Sequence, residues 1–420
     1  MAEVGATEPQ KNLAVAPVET VHSFPKTESR SPKDVSIEEL DAIERTLESH
    51  PFKTSPQLAN RHTQTVASVF TPNFGEKAFP LGIVRPEYAW PGTRRELVPL
   101  QDGGKIAIEY NLQKDPENHP TIIVVPGYVA SSGSTYAMGI GRKAFHYGFN
   151  VVRMNLRNQG GTEALTKTLY FGDQSTDVVD VLKYVHEHGI GHDTLRMARN
   201  NVPPLEEPVK LKDIYFAAFS LGGNILLKAL GELGDGAKKY DVKGAATLSG
   251  VVDPLASIKY LEGHAENKMY VARIADALKS MVKTKAKTDP QSWDTTDIKK
   301  IKTLSQFDIR YQIPQGYTLE QFYNLGSALP HVPDITVPTL VIAAEDDPMV
   351  PVSPLKGPEF ANNKNVRRII TEKGGHTGYV QDKKRYGDLD LHWDQNRAVE
   401  FFRLLQKAYQ KKAAQTAPTT

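Results

Sequence analysis

Residues 213–230, with the sequence DIYFAAFSLGGNILLKAL, constrain this chain most. Their first half is a short apolar run with aromatic side chains, which is typical of a buried parallel strand. Their second half has the apolar pattern of a helix, and Ser220 lies between the two halves, flanked by Ala218 and Gly222. A serine on a tight turn between a strand and a helix, in the pattern G-x-S-x-G, is typical of an enzyme nucleophile. The alternative is a serine that only caps the helix, and the rest of the chain has to discriminate between them.

Composition excludes several classes of protein. The chain has no cysteine, so disulfides, thiol catalysis and cysteine-ligated metals are ruled out. Its net charge of +2 gives no electrostatic reason to expect nucleic acid or an anionic membrane as a partner. No apolar run approaches the about 18 residues needed to span a bilayer, and the N-terminus lacks the apolar core of a secretory signal. We therefore expect a cytoplasmic protein with no nucleic-acid partner and no integral membrane segment.

Short apolar runs alternate with helical patterns through most of the chain. Six runs are expected to form strands: residues 121–126, 150–155, 214–219, 244–249, 339–344 and 366–371. Strands that alternate with helices indicate βαβ units and a mostly parallel, doubly wound sheet. Earlier in the chain, residues 97–100 and 106–112 flank Asp102-Gly-Gly104 and predict a hairpin that adds antiparallel strands to one edge of the sheet.

The remaining segments predict the domain organisation. Residues 1–34 and 412–420 are polar and poor in apolar periodicity, so we expect two disordered tails. Residues 35–252 and 338–411 are expected to form the two parts of one α/β core. Residues 253–337 separate two predicted strands and are too many for an ordinary loop. They predict a helical cap over the carboxyl ends of the strands, where open α/β sheets bind their ligands.

A serine nucleophile needs a base to take its proton and a carboxylate to orient that base. In α/β-hydrolases these groups follow one another along the chain in the order Ser, acid, His. His376, framed by glycines directly after the last predicted strand, is predicted to be the base. The acid is expected after residues 339–344, where Asp346 and Asp347 compete. The spacing favours Asp347, and Asp346 is then expected to cap the short helix that follows.

Acyl chemistry also needs two N–H groups that stabilise the developing oxyanion. One is expected from Leu221, directly after the serine, and the other from Tyr128 in the loop after the first parallel strand, where Gly127 allows the turn. That loop lacks a GxxxxGK[ST] pattern, which disfavours nucleotide binding. No HExxH pattern occurs and His62 has no metal-spaced partner. We therefore expect no metal and no cofactor, and a structural role for His62.

Several further stretches accompany the candidate site. They are Arg61-His-Thr-Gln-Thr65, Asn155-Leu-Arg-Asn-Gln-Gly-Gly-Thr-Glu163, Leu169-Tyr170, Ser220-Leu-Gly-Gly-Asn224, Phe307-Asp308, Gly316-Tyr317, Phe322-Tyr323, Asp346-Asp-Pro348 and Gly374-Gly-His-Thr-Gly378. In this combination, from about Phe52 to the terminal helix, the chain resembles the YheT-like α/β-hydrolases, a family that includes eukaryotic medium-chain esterases and fungal alcohol O-acyltransferases. The resemblance implies an α/β-hydrolase fold, a triad of Ser220, Asp347 and His376, and hydrolysis of short- or medium-chain acyl esters.

Two positions depart from the pattern that many members of this family show. Pro126-Gly127 replaces His-Gly in the oxyanion loop, and Arg157-Asn158 replaces Arg-Gly. Neither change removes a predicted catalytic group, because the donor in the loop is a backbone N–H. We therefore expect the same chemistry in this chain.

Three functions compete at this point. The first is a serine carboxylester hydrolase that forms an acyl-enzyme on a small-molecule acyl ester. The second is an alcohol O-acyltransferase, which would use the same residues and so cannot be separated from the first by sequence. The third is a binding protein that keeps the fold without turnover. The presence of a full set of serine, acid and histidine candidates favours an enzyme.

Overall fold

A computed structural model describes residues 34–75, 90–192 and 205–416. These residues form twelve α-helices and eight strands. In chain order they are α1 (Ile37–Glu48), α2 (Arg61–Phe70), β1 (Arg94–Pro99), β2 (Lys105–Asn111), β3 (Pro120–Val125), α3 (Thr135–His146), β4 (Asn150–Met154), α4 (Ser175–Lys183), β5 (Lys212–Phe219), α5 (Leu221–Leu233), α6 (Gly236–Lys239), β6 (Val242–Leu248), α7 (Pro254–Gly263), α8 (Lys268–Thr288), α9 (Leu304–Tyr311), α10 (Leu319–Leu325), β7 (Thr339–Ala344), α11 (Pro358–Ala361), β8 (Val366–Thr371) and α12 (Trp393–Thr416).

All eight strands form one sheet in the order β1-β2-β4-β3-β5-β6-β7-β8. The pairs β1–β2 and β2–β4 are antiparallel, and every other neighbouring pair is parallel. The predicted mostly parallel sheet with an antiparallel hairpin at its edge is therefore confirmed. β3, β5 and β7 have almost no exposed residue, which is expected of central strands that carry helices on both faces.

The two faces of the sheet pack against different helices. Alternate residues of a strand point to opposite faces. Phe216 accordingly belongs to a buried cluster with residues of α4 and α5, whereas Tyr215 belongs to a second cluster with residues of α1, α3 and α12. Because β3, β5, β7 and β8 run in the same direction, their carboxyl ends lie along one edge of the sheet. The loops that carry Tyr128, Ser220, Asp347 and His376 follow these four ends.

The predicted cap, residues 253–337, contains the helices α7 to α10 between β6 and β7. The predicted N-terminal tail, residues 1–34, lies outside the described residues except for Asp34. The C-terminal boundary needs a correction, because α12 continues to Thr416 and residues 412–416 are helical. The physical reason is a tertiary contact, since Lys412 forms an ion pair of 3.1 Å with Glu39 of α1. Within the described ranges, no helix is long and apolar enough to cross a membrane.

Candidate active site

Ser220 occupies a tight turn between β5 and α5. Its backbone has a φ of 51° and a ψ of −124°, a conformation that L-residues other than glycine rarely adopt. The surrounding backbone holds it there: the Ser220 N–H donates to the Leu248 carbonyl at 3.1 Å, and the Ser220 carbonyl accepts from the N–H groups of Gly223 at 2.9 Å and Val251 at 3.0 Å. Strain of this kind persists only when neighbouring contacts impose it.

Close approach to the loop after β3 explains the small residues around the serine. A β carbon on Gly222 would lie 2.2 Å from the Pro126 carbonyl oxygen, and one on Gly127 would lie 3.0 Å from the β carbon of Ser220. Ala218 is fully buried in β5, and its methyl group is accommodated where the common pattern has glycine. The turn therefore requires glycine at position 222 but tolerates a methyl group at position 218.

Three side chains form a continuous line of hydrogen bonds at this edge of the sheet. His376 Nε2 lies 2.9 Å from Ser220 Oγ, and His376 Nδ1 lies 2.8 Å from Asp347 Oδ2. Ser220 is half-buried, whereas His376 is 7% and Asp347 3% exposed. The imidazole therefore contacts a hydroxyl through one nitrogen and a buried carboxylate through the other.

The turn after β7 determines which aspartate faces the imidazole. Asp347 Oδ1 accepts the N–H groups of Met349 at 2.7 Å and Val350 at 2.9 Å, which directs Oδ2 toward His376. Asp346 was expected to cap the following short helix, and this expectation is wrong. Asp346 Oδ1 instead accepts the Gly375 N–H at 2.9 Å, on the loop that carries the histidine. Burial raises the pKa of the Asp346 carboxyl.

The loop of His376 is fixed by two hydroxyl groups that the sequence did not identify. The N–H of His376 donates to Thr65 Oγ1 and the N–H of Thr377 donates to Ser249 Oγ, both at 2.9 Å. Gly375 has a φ of 61°, and a β carbon there would lie 2.6 Å from the Arg61 carbonyl oxygen. The loop of His376 is therefore held by α2 on one side and by the residue that follows β6 on the other.

Helix α2 contacts the histidine loop through a buried amide as well. Gln64 is fully buried, its Oε1 accepts the Val380 N–H at 2.9 Å, and its Nε2 donates to the Val380 carbonyl at 3.1 Å. These partners lie more than 300 positions apart in sequence. One feature of the sequence could have indicated this contact. Two polar residues, Gln64 and Thr65, lie next to each other in a helix that has few apolar residues.

The two predicted oxyanion donors are the N–H groups of Tyr128, in the loop after β3, and Leu221. The neighbours of Tyr128 on either side are engaged, since the Gly127 N–H donates to Tyr136 Oη at 2.9 Å and the Val129 N–H to Tyr170 Oη at 2.6 Å. Leu221 is the first residue of α5, where N–H groups have no partner within the helix. In the described part of the chain, the N–H groups of Tyr128 and Leu221 donate to no other residue.

Ser220 and His376 open into a cavity of about 90 Å³. The sheet side contributes Tyr128, Leu221 and Val251, and each of the four helices between β6 and β7 contributes at least one residue. The apolar residues that these helices add are Pro254, Ile258, Leu261, Ile274 and Leu304. Because the walls are mainly apolar and the hydroxyl lies at the cavity surface, the site can hold an apolar group next to a nucleophile.

The residues of this site lie within a stretch of the chain that matches a family of known proteins. Residues 122–388 match the model of the alpha/beta hydrolase family. The chain belongs to the α/β hydrolase family. The matched residues include most of β3, the turn of Ser220, the helices that line the cavity and the loop of His376.

This α/β hydrolase has curated relatives and solved structural neighbours. It is 25% identical to human phospholipase ABHD3 over 296 residues, which cover 69% of this chain and 67% of that protein. It is 25% identical to a monoacylglycerol lipase of Saccharomyces cerevisiae over 277 residues, which cover 63% of this chain and 56% of that protein. The esterase Pf2001 of Pyrococcus furiosus aligns at 15% identity with a TM-score of 0.43, over 73% of this chain and 90% of that one.

His62 lies in α2 and contacts the helices on the far side of the cavity. Its Nδ1 lies 3.1 Å from Tyr270 Oη of α8, and the two rings stack with centroids 5.7 Å apart. Arg61 pairs with Glu266 and donates to Tyr260 Oη at 3.1 Å. Among residues 34–75, 90–192 and 205–416, no group of three or more His, Asp or Glu is arranged to hold a metal ion. His62 thus links α2 of this hydrolase to α8.

Proposed function

We propose that this protein is a serine carboxylester hydrolase that acts on short- to medium-chain acyl esters. The observation that carries the proposal is the hydrogen-bonded line from Asp347 through His376 to Ser220, with the serine at the surface of an apolar cavity. A serine becomes a competent nucleophile when a correctly oriented imidazole can accept its proton. The names of the relatives, a phospholipase and a monoacylglycerol lipase, support hydrolysis of an acyl ester.

The first half of the proposed reaction acylates the enzyme. Ser220 Oγ attacks the carbonyl carbon of the ester while His376 Nε2 takes the hydroxyl proton, and Asp347 stabilises the imidazolium through Nδ1–H. The carbonyl oxygen becomes an oxyanion that accepts hydrogen bonds from the N–H groups of Tyr128 and Leu221. When this intermediate collapses, the bond to the alcohol oxygen breaks, and the alcohol leaves with the proton that His376 returns.

The second half releases the acyl group. A water molecule attacks the acyl carbon of the Ser220 ester while His376 takes one of its protons, and a second oxyanion forms at the same two N–H groups. Collapse then breaks the bond to Ser220 Oγ, which receives the proton from His376, and the carboxylic acid leaves. An alcohol in place of water would give a new ester by the same steps.

Two finer assignments belong to the same proposal. The motifs quoted above support membership of the YheT-like group within the α/β hydrolases. The apolar residues from α7 to α10 support a role for residues 253–337 as a cap that receives the acyl chain. Chain-length preference would then be decided by these helices rather than by the sheet.

The test combines active-site labelling with turnover. A fluorophosphonate probe should label the wild type and should not label Ser220→Ala, whereas Ser257→Ala, which removes another serine of the same cavity, should still be labelled. With p-nitrophenyl esters from acetate to dodecanoate, Ser220→Ala should lose a factor of at least about 10⁴ in kcat. Equal labelling or equal turnover of wild type and Ser220→Ala would refute the proposal. Added ethanol, with acid and ethyl ester measured separately, reports which acceptor is used.

A further inference from the structure

Two tyrosine hydroxyls hold the loop after β3 on either side of Tyr128. Tyr136 Oη, in the first turn of α3, accepts the Gly127 N–H at 2.9 Å. Tyr170 Oη, in the segment between β4 and α4, accepts the Val129 N–H at 2.6 Å. The N–H of Tyr128 donates to no residue in the described part of the chain. The two hydroxyls therefore fix the peptide planes on both sides of the plane that carries the predicted oxyanion donor.

The backbone of Val129 is strained, so this loop has to be held in place. Its φ is 51°, and a positive φ is a genuine outlier for a β-branched residue. Residues 127–130 form a β-turn, in which the Ala130 N–H donates to the Gly127 carbonyl at 3.3 Å. A positive φ at the third residue of such a turn normally calls for glycine or asparagine. A strained residue keeps its conformation only when its surroundings impose it, and the hydrogen bond to Tyr170 is one such contact.

Tyr170 is itself fixed by its surroundings. Its side chain is 1% exposed, and its ring packs edge-on against the Tyr128 ring with 5.3 Å between centroids. Its hydroxyl also accepts from Gln159 Nε2 at 3.4 Å. Burial raises the pKa of the phenols of Tyr136, to about 12, and of Tyr170. Both hydroxyls therefore stay neutral and place no negative charge beside the developing oxyanion.

We propose that Tyr170 is a positioning residue, which aligns the backbone N–H of Tyr128 for the oxyanion by holding Val129 in its strained conformation. Tyr136 has the same role on the other side of the donor, at Gly127. The inference rests on the proposed function, because it concerns the oxyanion donors of that reaction. Without the Tyr170 hydroxyl, Val129 relaxes toward a negative φ, which rotates the neighbouring peptide planes and displaces the donor. Misplacement of a catalytic group by about 1 Å can cost about a factor of 10² in rate.

The decisive variant is Tyr170→Phe, which removes the hydroxyl and keeps the ring. On p-nitrophenyl butyrate, kcat should fall about tenfold or more relative to wild type, while KM changes less than about threefold. An alkylboronic acid, which forms a tetrahedral adduct on the serine, should bind more weakly by a similar factor as kcat falls. Butyramide has the same acyl chain but forms no oxyanion, so it should inhibit as before. A general distortion of the site would weaken both inhibitors.

A change at Val129 separates positioning from a simple loss of stability. Glycine adopts a positive φ without strain, so in Val129→Gly the turn should keep its conformation without the Tyr170 hydroxyl. Adding Tyr170→Phe to Val129→Gly should then lower kcat less than about threefold, against about tenfold or more in the wild-type background. An equal loss in both backgrounds would show that the hydroxyl does not act through the conformation of Val129, and would overturn the inference.

Tyr409→Phe is the matched control for the loss of one hydroxyl. The Tyr409 hydroxyl also bonds to the backbone, since it donates to the Lys243 carbonyl at 3.1 Å. Lys243 lies near the start of β6, at the opposite edge of the sheet from Ser220. Tyr409→Phe should therefore lower the melting temperature, as Tyr170→Phe does, but leave kcat unchanged. A tenfold fall of kcat in Tyr409→Phe as well would contradict a specific role for Tyr170.

A second variant protects the test against misfolding of the first. Tyr136→Phe removes the acceptor of the Gly127 N–H and should reproduce both the fall in kcat and the weaker boronate binding. Wild-type kcat and boronate affinity in Tyr170→Phe and Tyr136→Phe would refute the positioning role. If Ser220→Ala keeps its turnover, the proposed function itself has failed. An inactive Ser220→Ala beside unaffected tyrosine variants would reject only the inference about the loop.

Discussion

The two neighbouring aspartates after β7 offer a sharp test of the proposed triad, because one conservative change can be made at each. In Asp347→Asn, the amide oxygen should keep the place of Oδ1, where it accepts the N–H groups of Met349 and Val350. The amide NH₂ then faces His376 Nδ1 in the place of Oδ2. An NH₂ donor at that position requires an unprotonated Nδ1 and puts the proton on Nε2. Nε2 can then no longer accept the proton of Ser220.

The magnitude follows from this change of tautomer. Replacing the acid of a serine triad by its amide typically lowers kcat by about 10⁴, or about 5.5 kcal/mol at 1.36 kcal/mol per tenfold. Asp346→Asn should behave differently. Its amide oxygen can still accept the Gly375 N–H, and within the described part of the chain its other oxygen is buried without a partner. We expect a change in kcat below about threefold, because the amide keeps the hydrogen bond to Gly375 and leaves the hydrogen bonds of Asp347 in place.

The assay is steady-state hydrolysis of p-nitrophenyl butyrate by both variants, with urea unfolding as the control for folding. The free energy of unfolding should stay within about 1 kcal/mol of wild type in both variants. If Asp346→Asn lost more activity than Asp347→Asn, or if Asp347→Asn kept more than about a tenth of wild-type kcat, the assignment of Asp347 would be refuted.

Two further substitutions test the surroundings of the site. Thr65→Val removes the hydroxyl that accepts the His376 N–H at 2.9 Å. Because His376 is then less well positioned, kcat should fall about tenfold with little change in KM. An unchanged kcat would contradict this prediction. Lys143→Met leaves the buried carboxylate of Asp390 without the ammonium that lies 2.5 Å away. It should lower the free energy of unfolding, measured in urea, by about 3 kcal/mol, as breaking a buried ion pair does. The double variant of Lys143→Met and Asp390→Asn should recover part of this lost stability.

Much of the fold could be predicted because it depends on local patterns. The strands Thr339–Ala344 and Val366–Thr371 have the predicted boundaries, since short apolar runs between turn residues mark buried strands. The strand, turn and helix around Ser220 could be predicted for the same reason, because small residues are needed where the backbone of the turn is crowded. The order of strands along the chain then places the loops of residues 128, 220, 347 and 376 at one edge of the sheet.

Sequence by itself determined the residue types, the order of the elements and the edge of the sheet at which the candidate site lies. The spacing in the sequence favoured Asp347 over Asp346, but only the tertiary structure showed that Asp347 faces the imidazole, because the direction of a side chain depends on the dihedral angles of its turn. The tertiary structure also decided that Thr65 holds the loop of His376, a contact across 311 positions that no periodicity encodes. Ser220 is recognisable in the sequence because its constraint is local, whereas the groups that orient its neighbours come from distant parts of the chain.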